Sequence, residues 1–521
     1  MLEKNITKIK LNNLEERKDF VATIGVFDGL HLGHQHILKN LRKIAFEKNF
    51  NSLVITFEED FFKTTKNISN FILTMEEKEE FLRLLGIDYL FILKISEIKN
   101  MLPEEFIKEL KEIIPIKYLC VGENFRFGYN RTGDIKTLMK LANVYEFNVK
   151  IFPLYSREEI YSSSLIRKLL EDGDIENARK KLGYYYFIKG KVIEGQKVGR
   201  RIGFPTANIE VKNKKIIPAN GIYRGKVIIS DKFYKSAIYI GTKPTFNGDN
   251  KTIEIHILDF DGDLVGKEIE IIFEEYIRDE KKFENISQLI KQISKDIEYI
   301  REKKDENAII TIDGPAGSGK TTIAKLLAKT LKFNYLDSGA LYRAVGWFAK
   351  EMGLEKEDEI VNLIKSKPFK WYWNGEEFKI FFRDIDISEI IRRDEIGKEA
   401  SKVGAMKSVR EILTLWQRES LKEKNTGLIL EGRDSGTVVF PNANLKLYIT
   451  ANLKVRAERR SRELGEDFEK ILNSIKERDL KDSQRLYSPL KIPDDSYIID
   501  TSTLTPKEVI SKIISLFLKV R

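Results

Sequence analysis

Over residues 284–304 the apolar side chains Ile286, Leu289, Ile290, Ile293, Ile297 and Ile300 recur at steps of three and four, the spacing of one helix face. The pattern dissolves in 301–307, which holds no apolar residue. A short apolar run, Ala308-Ile309-Ile310-Thr311-Ile312, then opens onto a glycine-rich turn. An amphipathic helix, a charged break and a new strand mark a domain start near residue 304. A second change of period lies near residue 183, where helical spacing over 164–182 ends at Gly183 and strand-like aromatic residues follow. From 184 to 273 short β-type runs alternate with glycine turns roughly ten residues apart, which predicts a small barrel or sandwich. The flanking segments alternate strands and helices and read as α/β. Three domains are expected: 1–183, 184–304 and 305–521.

Length agrees, since 521 residues exceed what one core supports and domains average about 150 residues. A hydrophobic share of 42% and a charged share of 33% are those of a globular chain and exclude disordered and fibrous classes. The net charge of +10, from 90 basic and 80 acidic residues, is mild. It suits a chain whose partners are anionic small molecules better than one that binds nucleic acid. The 1 cysteine, Cys120, sits in Tyr118-Leu119-Cys120-Val121 and excludes an internal disulfide; a buried core thiol is expected. Residues 1–12 alternate charged and apolar positions, and no stretch of 18 uncharged apolar residues occurs. A cytoplasmic protein with no membrane partner is expected.

Gly314-Pro315-Ala316-Gly317-Ser318-Gly319-Lys320-Thr321 fits the phosphate-binding pattern of glycine, four residues and Gly-Lys-Ser/Thr, between a strand and a helix. Its backbone N–H groups can converge on one anion, Lys320 can neutralise terminal phosphates, and the Thr321 hydroxyl can hold Mg²⁺. Asp337-Ser338-Gly339-Ala340-Leu341-Tyr342-Arg343 follows after one short strand. Next come Ser401 and Arg410 in a helix, and then Glu431-Gly432-Arg433-Asp434-Ser435-Gly436-Thr437. Glu477-Arg478-Asp479-Leu480-Lys481-Asp482-Ser483-Gln484-Arg485 completes the series. With these four motifs in order, residues 305–521 resemble the cytidylate kinases, P-loop nucleoside monophosphate kinases of α/β fold.

The resemblance implies phosphoryl transfer from ATP to CMP or dCMP. It implies ATP binding by Gly314 to Thr321 and Thr322, with Arg456 and Arg459 in a lid. It further implies nucleotide-acceptor binding by Ser338, Tyr342, Arg343, Ser401, Arg410, Arg433, Asp434, Arg478, Asp482 and Arg485, with Lys320 and Arg433 catalytic. Several phosphates in one cleft call for bidentate guanidinium groups, so the arginines suit the chemistry.

Of the 4 histidines, His31, His34 and His36 fall within six residues. They follow the apolar run and turn Thr23-Ile24-Gly25-Val26-Phe27-Asp28-Gly29-Leu30 and open a helix carrying Ile37, Leu38, Leu41 and Ile44. A metal cluster and a phosphate site of His-x-x-His type compete; the strand, turn, helix order suits the second. His36 reads as a solvated helix residue. With Gly122-Glu123-Asn124-Phe125-Arg126-Phe127-Gly128 and Ser162-Ser163-Ser164-Leu165-Ile166-Arg167, the first domain resembles the adenylyltransferase half of prokaryotic bifunctional riboflavin kinase/FAD synthetases, a Rossmann-like α/β fold.

The resemblance implies that Gly25, Phe27, Asp28, Gly29, His31, His34, Asn124, Ser164 and Arg167 surround ATP, with His31 and His34 catalytic, while the FMN phosphate attacks the α-phosphorus. Two positions depart from the family: Leu165 stands where arginine is frequent, and Glu58-Glu59-Asp60 where His-Pro is common.

Residues 190–208 contain Gly199 and Gly203-Phe204-Pro205-Thr206-Ala207-Asn208, and Ile253-Glu254-Ile255-His256-Ile257 follows. In that run the period of two puts Thr252, Glu254 and His256 on one face and the isoleucines on the other. A carboxylate so placed can take a proton from an attacking hydroxyl. In this position the segment resembles the riboflavin kinase module of the same family, a small β-barrel. That resemblance implies riboflavin as substrate and Glu254 as general base. It also implies ATP, Mg²⁺ and flavin contacts from Gly199, Gly203, Pro205, Thr206 and Asn208, with Thr206 and Asn208 toward the metal. His256 reads as a structural histidine.

Overall fold

The computed structural model describes residues 6–11, 19–58, 70–94, 98–153, 155, 161–195, 198–211, 214–229, 232–245, 248–303, 307–421 and 426–520. The chain divides into two compact units, Met1–Asp305 with Leu518–Val520, and Glu306–Phe517.

The first unit opens with a six-stranded sheet made of β1 (Ile6–Lys10), β2 (Phe20–Ile24), β3 (Asn51–Phe57), β4 (Tyr89–Leu93), β5 (Ile116–Gly122) and β6 (Asn148–Phe152), in the order β1-β4-β3-β2-β5-β6. All neighbours are parallel except β1 on β4. Central strands such as β2 and β3 are apolar on both faces, as a sheet covered by helices demands, and Val21, Ala22, Leu53, Val54 and Ile55 are 0% exposed. The chain turns from β2 toward β3 on one side and resumes at β5 on the other. The crevice at the carboxyl ends of β2 and β5 is therefore the switch point where α/β sheets take ligands. Cys120 lies buried on β5, and burial pushes its thiol up to about 12.

The helix expected over 164–182 is two helices, Ser163–Glu171 and Ile175–Leu182. Gly173 adopts φ +80 between them, and the Asp174 side chain caps the second by accepting from Asn177 N at 3.1 Å. Apolar spacing runs through this corner, so periodicity alone hides it.

Six strands then form a barrel: β7 (Phe187–Ile193), β8 (Ala207–Val211), β9 (Gly221–Ile229), β10 (Lys232–Thr245), β11 (Gly248–Ile257) and β12 (Glu268–Arg278), closed in the order β10-β11-β8-β7-β12-β9. Val227, Ile238, Ile240, Ile255, Ile271 and Phe273 fill it at 0% exposure. The helix Ile286–Glu302 follows, capped by Asn285 and tied to β12 by Arg278 on Asp296 at 2.7 Å. Its apolar stripe is buried only in part: Ile300 is covered, but Ile286 is 64% exposed.

The two modules of this unit are knitted together. Phe71 and Lys215 form an isolated parallel bridge, and buried Lys215 donates from Nζ to Glu77 Oε2 at 2.5 Å and to Ile72 O at 2.7 Å, over the rings of Tyr186 and Phe187.

The second unit is built on a parallel sheet of β13 (Ile309–Asp313), β14 (Asn334–Asp337), β18 (Leu428–Glu431), β19 (Leu445–Thr450) and β20 (Tyr497–Asp500), ordered β14-β18-β13-β19-β20. A small antiparallel sheet of β15 (Phe369–Trp373), β16 (Phe378–Phe382) and β17 (Ile385–Asp386), absent from the sequence-level expectation, packs against β14 through Tyr335 on Trp373 and Phe378. Ser401 and Arg410, expected on one helix, lie on two, Asp394–Val403 and Lys407–Glu419.

Candidate active sites

β2 ends at Ile24, and the next seven residues turn sharply: Phe27, Gly29 and Leu30 all take positive φ. His31 occupies the N-cap position of the helix Leu32–Lys48 without a side-chain capping hydrogen bond, at the end where helix N–H groups point outward. The His31 and His34 rings stack at 3.7 Å, and Phe27 packs edge-on against His34. Burial pulls His31 down to about 4, which keeps it neutral near pH 7. Asp28 is 1% exposed and is the hub of the turn. Its carboxylate accepts from Ile72 N at 3.2 Å and pairs with Arg167, while its carbonyl accepts from Ser163 Oγ at 2.8 Å.

Asn124 lies just past the end of β5, beside β2 at the same carboxyl edge, and is exposed. Ser164 is exposed on the first turn of its helix; the serine that touches the Asp28 turn is its neighbour Ser163. Which of three consecutive serines reaches Asp28 depends on the rotation of this helix turn, which the sequence does not record. Tyr184, also unforeseen, donates from its phenol to Gly29 O at 2.7 Å. His36 is not a solvated residue, because it packs edge-on to Phe152 and Tyr155. Among the described residues no group of three or more His, Cys, Asp or Glu side chains is placed to hold a metal. Of the departures, Leu165 is half-buried and Glu58 continues β3 by donating its N–H to Leu93 O, whereas Glu59 and Asp60 lie outside the described residues.

On the barrel, β8 and β11 pair antiparallel with Asn208 opposite Glu254, and Thr206 Oγ1 stands 3.4 Å from Glu254 Oε2. Ile253, Ile255 and Ile257 are buried while Thr252, Glu254 and His256 are half-exposed, the alternation that the period of two predicts. His256 Nδ1 lies 2.9 Å from Pro205 O and its ring packs on Phe204, which holds the Gly203 to Thr206 loop against β11. A Cβ on Gly199 would stand 2.3 Å from Phe204 O, so the short helix Val198–Arg201 packs on this loop only with glycine there.

In the second unit the P-loop joins β13 to the helix Lys320–Leu331. Gly314 has φ +149, and a Cβ there would lie 2.0 Å from Ile449 O. Lys320 Nζ donates to Pro315 O at 2.7 Å, and burial, with Arg433 nearby, holds the ammonium well below its usual range. Thr321 Oγ1 donates to Glu431 Oε1 at 2.6 Å and Tyr335 to Glu431 Oε2 at 2.6 Å; burial and Asp337 raise the Glu431 carboxyl. Ser318 is buried and Thr322 exposed on the next turn.

Arg433 bridges the two sides of the cleft, donating to Gly314 O and, from Nε, to Asp482 Oδ2 at 2.9 Å. Asp482 also holds Arg485. Arg410 pairs with Asp434 and lies over the Tyr342 ring. Arg478 is pulled down to about 10 by burial and then by Arg433. Ser338 is buried at the first turn of the helix Ser338–Glu351, whereas Arg343 donates to Ile391 O at 3.1 Å and Ser401 to Gly397 O at 3.1 Å. The structure thus gathers Arg433, Asp482 and Arg485 in one network and Arg410, Asp434 and Tyr342 in another. Of the arginines expected in a lid, Arg456 is buried on Ala316 O at 2.9 Å and Asp479 at 2.6 Å. Arg459 binds Thr501, whose hydroxyl reaches Ser318 O at 3.2 Å.

Asp313, at the end of β13, is a strand-end acid that carries no motif of its own. Its two oxygens accept from Ser435 N at 2.8 Å and Gly436 N at 2.7 Å, the amides directly after Arg433 and Asp434. Burial pushes its carboxyl up to about 6, against those two hydrogen bonds.

A switch-point crevice opening on a helix N-terminus, a barrel with a carboxylate beside a threonine hydroxyl, and a P-loop facing an arginine cluster together define a multidomain protein of nucleotide-dependent transferase class. Residues 13–165 match the family model for FAD synthetase, 182–304 that for riboflavin kinase and 310–519 that for cytidylate kinase. Over 308 residues the chain is 36% identical to the bifunctional riboflavin kinase/FMN adenylyltransferase of Buchnera aphidicola subsp. Schizaphis graminum, covering 57% of this chain and 96% of that one. The protein of the same name from Bacillus subtilis is 34% identical, over 54% of this chain and 92% of its own length. The chain belongs to the bifunctional riboflavin kinase/FMN adenylyltransferase family and carries a cytidylate kinase domain after it.

A solved structure titled as a macrolide-efflux protein from Streptococcus pneumoniae superposes with a TM-score of 0.52 at 28% identity, covering 57% of this chain and 98% of that one. Among the described residues no helix is long and apolar enough to cross a membrane.

Proposed function

We propose that the chain phosphorylates riboflavin to FMN, adenylylates FMN to FAD, and phosphorylates CMP or dCMP to its diphosphate, with ATP as donor at three sites. The proposed division of labour is adenylyl transfer in 1–183, riboflavin phosphorylation in 184–304 and nucleotide phosphorylation in 305–521. One observation carries this reading: three phosphate-binding turns occur in three different folds, each beside the group its reaction needs. At His31 and His34, the two imidazoles and the helix N–H groups face the ATP phosphates while the FMN phosphate attacks the α-phosphorus and pyrophosphate leaves; alignment and charge stabilisation suffice. At the barrel, Glu254 takes the proton of the riboflavin 5′-hydroxyl as that oxygen attacks the γ-phosphorus and ADP leaves. At the P-loop, Lys320 and Arg433 hold the transferred group between two nucleotides.

The donor sets fit Mg²⁺. Thr321 with Glu431, and Thr206 with Asn208 and Glu254, are hard oxygen ligands of the kind that ion takes. Bound there, it would neutralise phosphate charge. The partners are small nucleotides and flavins, and the setting is the cytoplasm.

The test incubates purified chain with riboflavin, ATP and Mg²⁺, follows FMN and FAD by chromatography, and runs CMP in parallel. Glu254→Gln should stop FMN formation from riboflavin while supplied FMN is still adenylylated. Normal FMN formation by that variant would remove Glu254 as the base.

A further inference from the structure

The outer face of the barrel carries a row of polar residues that the scheme above uses only in part. Asn208 on β8 is opposite Glu254 on β11, and Glu254 is opposite Tyr239 on β10. Directly opposed residues of antiparallel strands keep their Cβ atoms about 5 Å apart, so the three side chains form one file. Ile238, Ile240, Ile253 and Ile255 point into the core at 1% exposure or less, which turns Tyr239 outward with Glu254.

Tyr239 is held in a built arrangement. Its phenol donates to Glu280 Oε1 at 2.5 Å, and Asn220 Nδ2 reaches Glu280 Oε2 at 3.2 Å and Thr242 Oγ1 at 2.8 Å. A Cβ on Gly241 would meet the phenol oxygen at 2.2 Å and Glu280 Oε1 at 2.6 Å, so the close approach needs glycine at that place. Asn220 Oδ1 is buried and has no hydrogen-bond partner among the described residues, an acceptor left open inside an otherwise satisfied cluster. Burial, then the Glu280 carboxylate and the nearby Glu254, hold the phenol above its usual range, so it stays a neutral donor.

A carboxylate, a phenol and an amide carbonyl, fixed beside the group that takes the 5′-hydroxyl proton, match the needs of a vicinal polyol, each of whose hydroxyls donates and accepts at once. We propose that Tyr239, Glu280 and Asn220 form a polyol subsite that reads the ribityl chain of the flavin and delivers its 5′-hydroxyl to Glu254, an inference that rests on the riboflavin kinase reading. The isoalloxazine ring is not the group this subsite recognises.

The experiment measures FMN formation by the full chain and by Tyr239→Phe and Glu280→Gln. It reads KM for riboflavin, KM for ATP, kcat, and the inhibition constant of lumiflavin, which has the ring without the polyol. Losing hydrogen bonds to the polyol should raise KM for riboflavin about tenfold. KM for ATP and the lumiflavin constant should stay within about twofold of the parent. An unchanged riboflavin KM in both variants, an equal rise in the lumiflavin constant, or loss of all turnover in both would overturn the subsite. Failure of the underlying reading looks different, since the unmodified chain would then make no FMN or Glu254→Gln would make it at the parent rate.

Discussion

Replacing Asp313 by asparagine isolates what a buried carboxylate does at the end of the P-loop strand. Two effects oppose each other there. The amides of Ser435 and Gly436 favour the ionised form, while complete burial and the neighbouring Asp434 disfavour it; burial wins, and the carboxyl rises from 3.8 to about 6. Between those values the folded chain keeps a proton that the unfolded chain has released. The stability this group contributes is therefore greatest below about pH 4 and falls as pH rises to about 6, by about 3 kcal/mol in all. Lys320 and Tyr448 both feel the Asp313 charge, so the loss is registered beside the P-loop.

All 4 tryptophans, Trp347, Trp371, Trp373 and Trp416, belong to the second unit, so their fluorescence in urea follows that unit alone. Stability of the parent minus that of Asp313→Asn should drop by about 2 kcal/mol from pH 4 to pH 7, most of the full span. A pH-independent difference, or a parent that gains on the variant with rising pH, would show that the two amides outweigh burial and refute the reasoning.

Two further outcomes separate the sites. Lys320→Ala should reduce CDP formation at least a hundredfold, an order of magnitude typical for removing a preorganised charge, and leave FAD formation intact; loss of both would mean that the units are coupled or misfolded. His34→Ala should block FAD but not FMN formation, and an unchanged FAD yield would sink the adenylyltransferase assignment.

What the sequence revealed and what it hid divide along a physical line. The P-loop and the histidine turn were legible because backbone geometry at a phosphate demands particular residues in a fixed order, as at Gly314, where any Cβ would strike Ile449 O. The isoleucine alternation around Glu254 was legible because a strand has a period of two. The corner at Gly173 was not, since a two-helix turn can preserve apolar spacing. Nor was the contact of Ser163 with the Asp28 turn, which depends on how one helix turn is rotated. Asp313 and Glu431 serve through partners more than 100 residues away, and no local pattern records such distances. The sheet of β15 to β17 escaped because its aromatic residues, among them Trp371 against Trp416, read as scattered apolar positions.

The bridge between Phe71 and Lys215 bears on how this chain can be cut. A fragment ending at residue 183 would forfeit the Tyr184 phenol that braces Gly29 beside His31, and the ammonium that neutralises Glu77 inside the protein. An uncompensated interior carboxylate is costly, so such a fragment would invite solvent into the wall behind the histidine turn. The first two modules are consecutive words in the sequence but a single piece of joinery in space, and a gene trimmed at their boundary would encode a damaged adenylyltransferase.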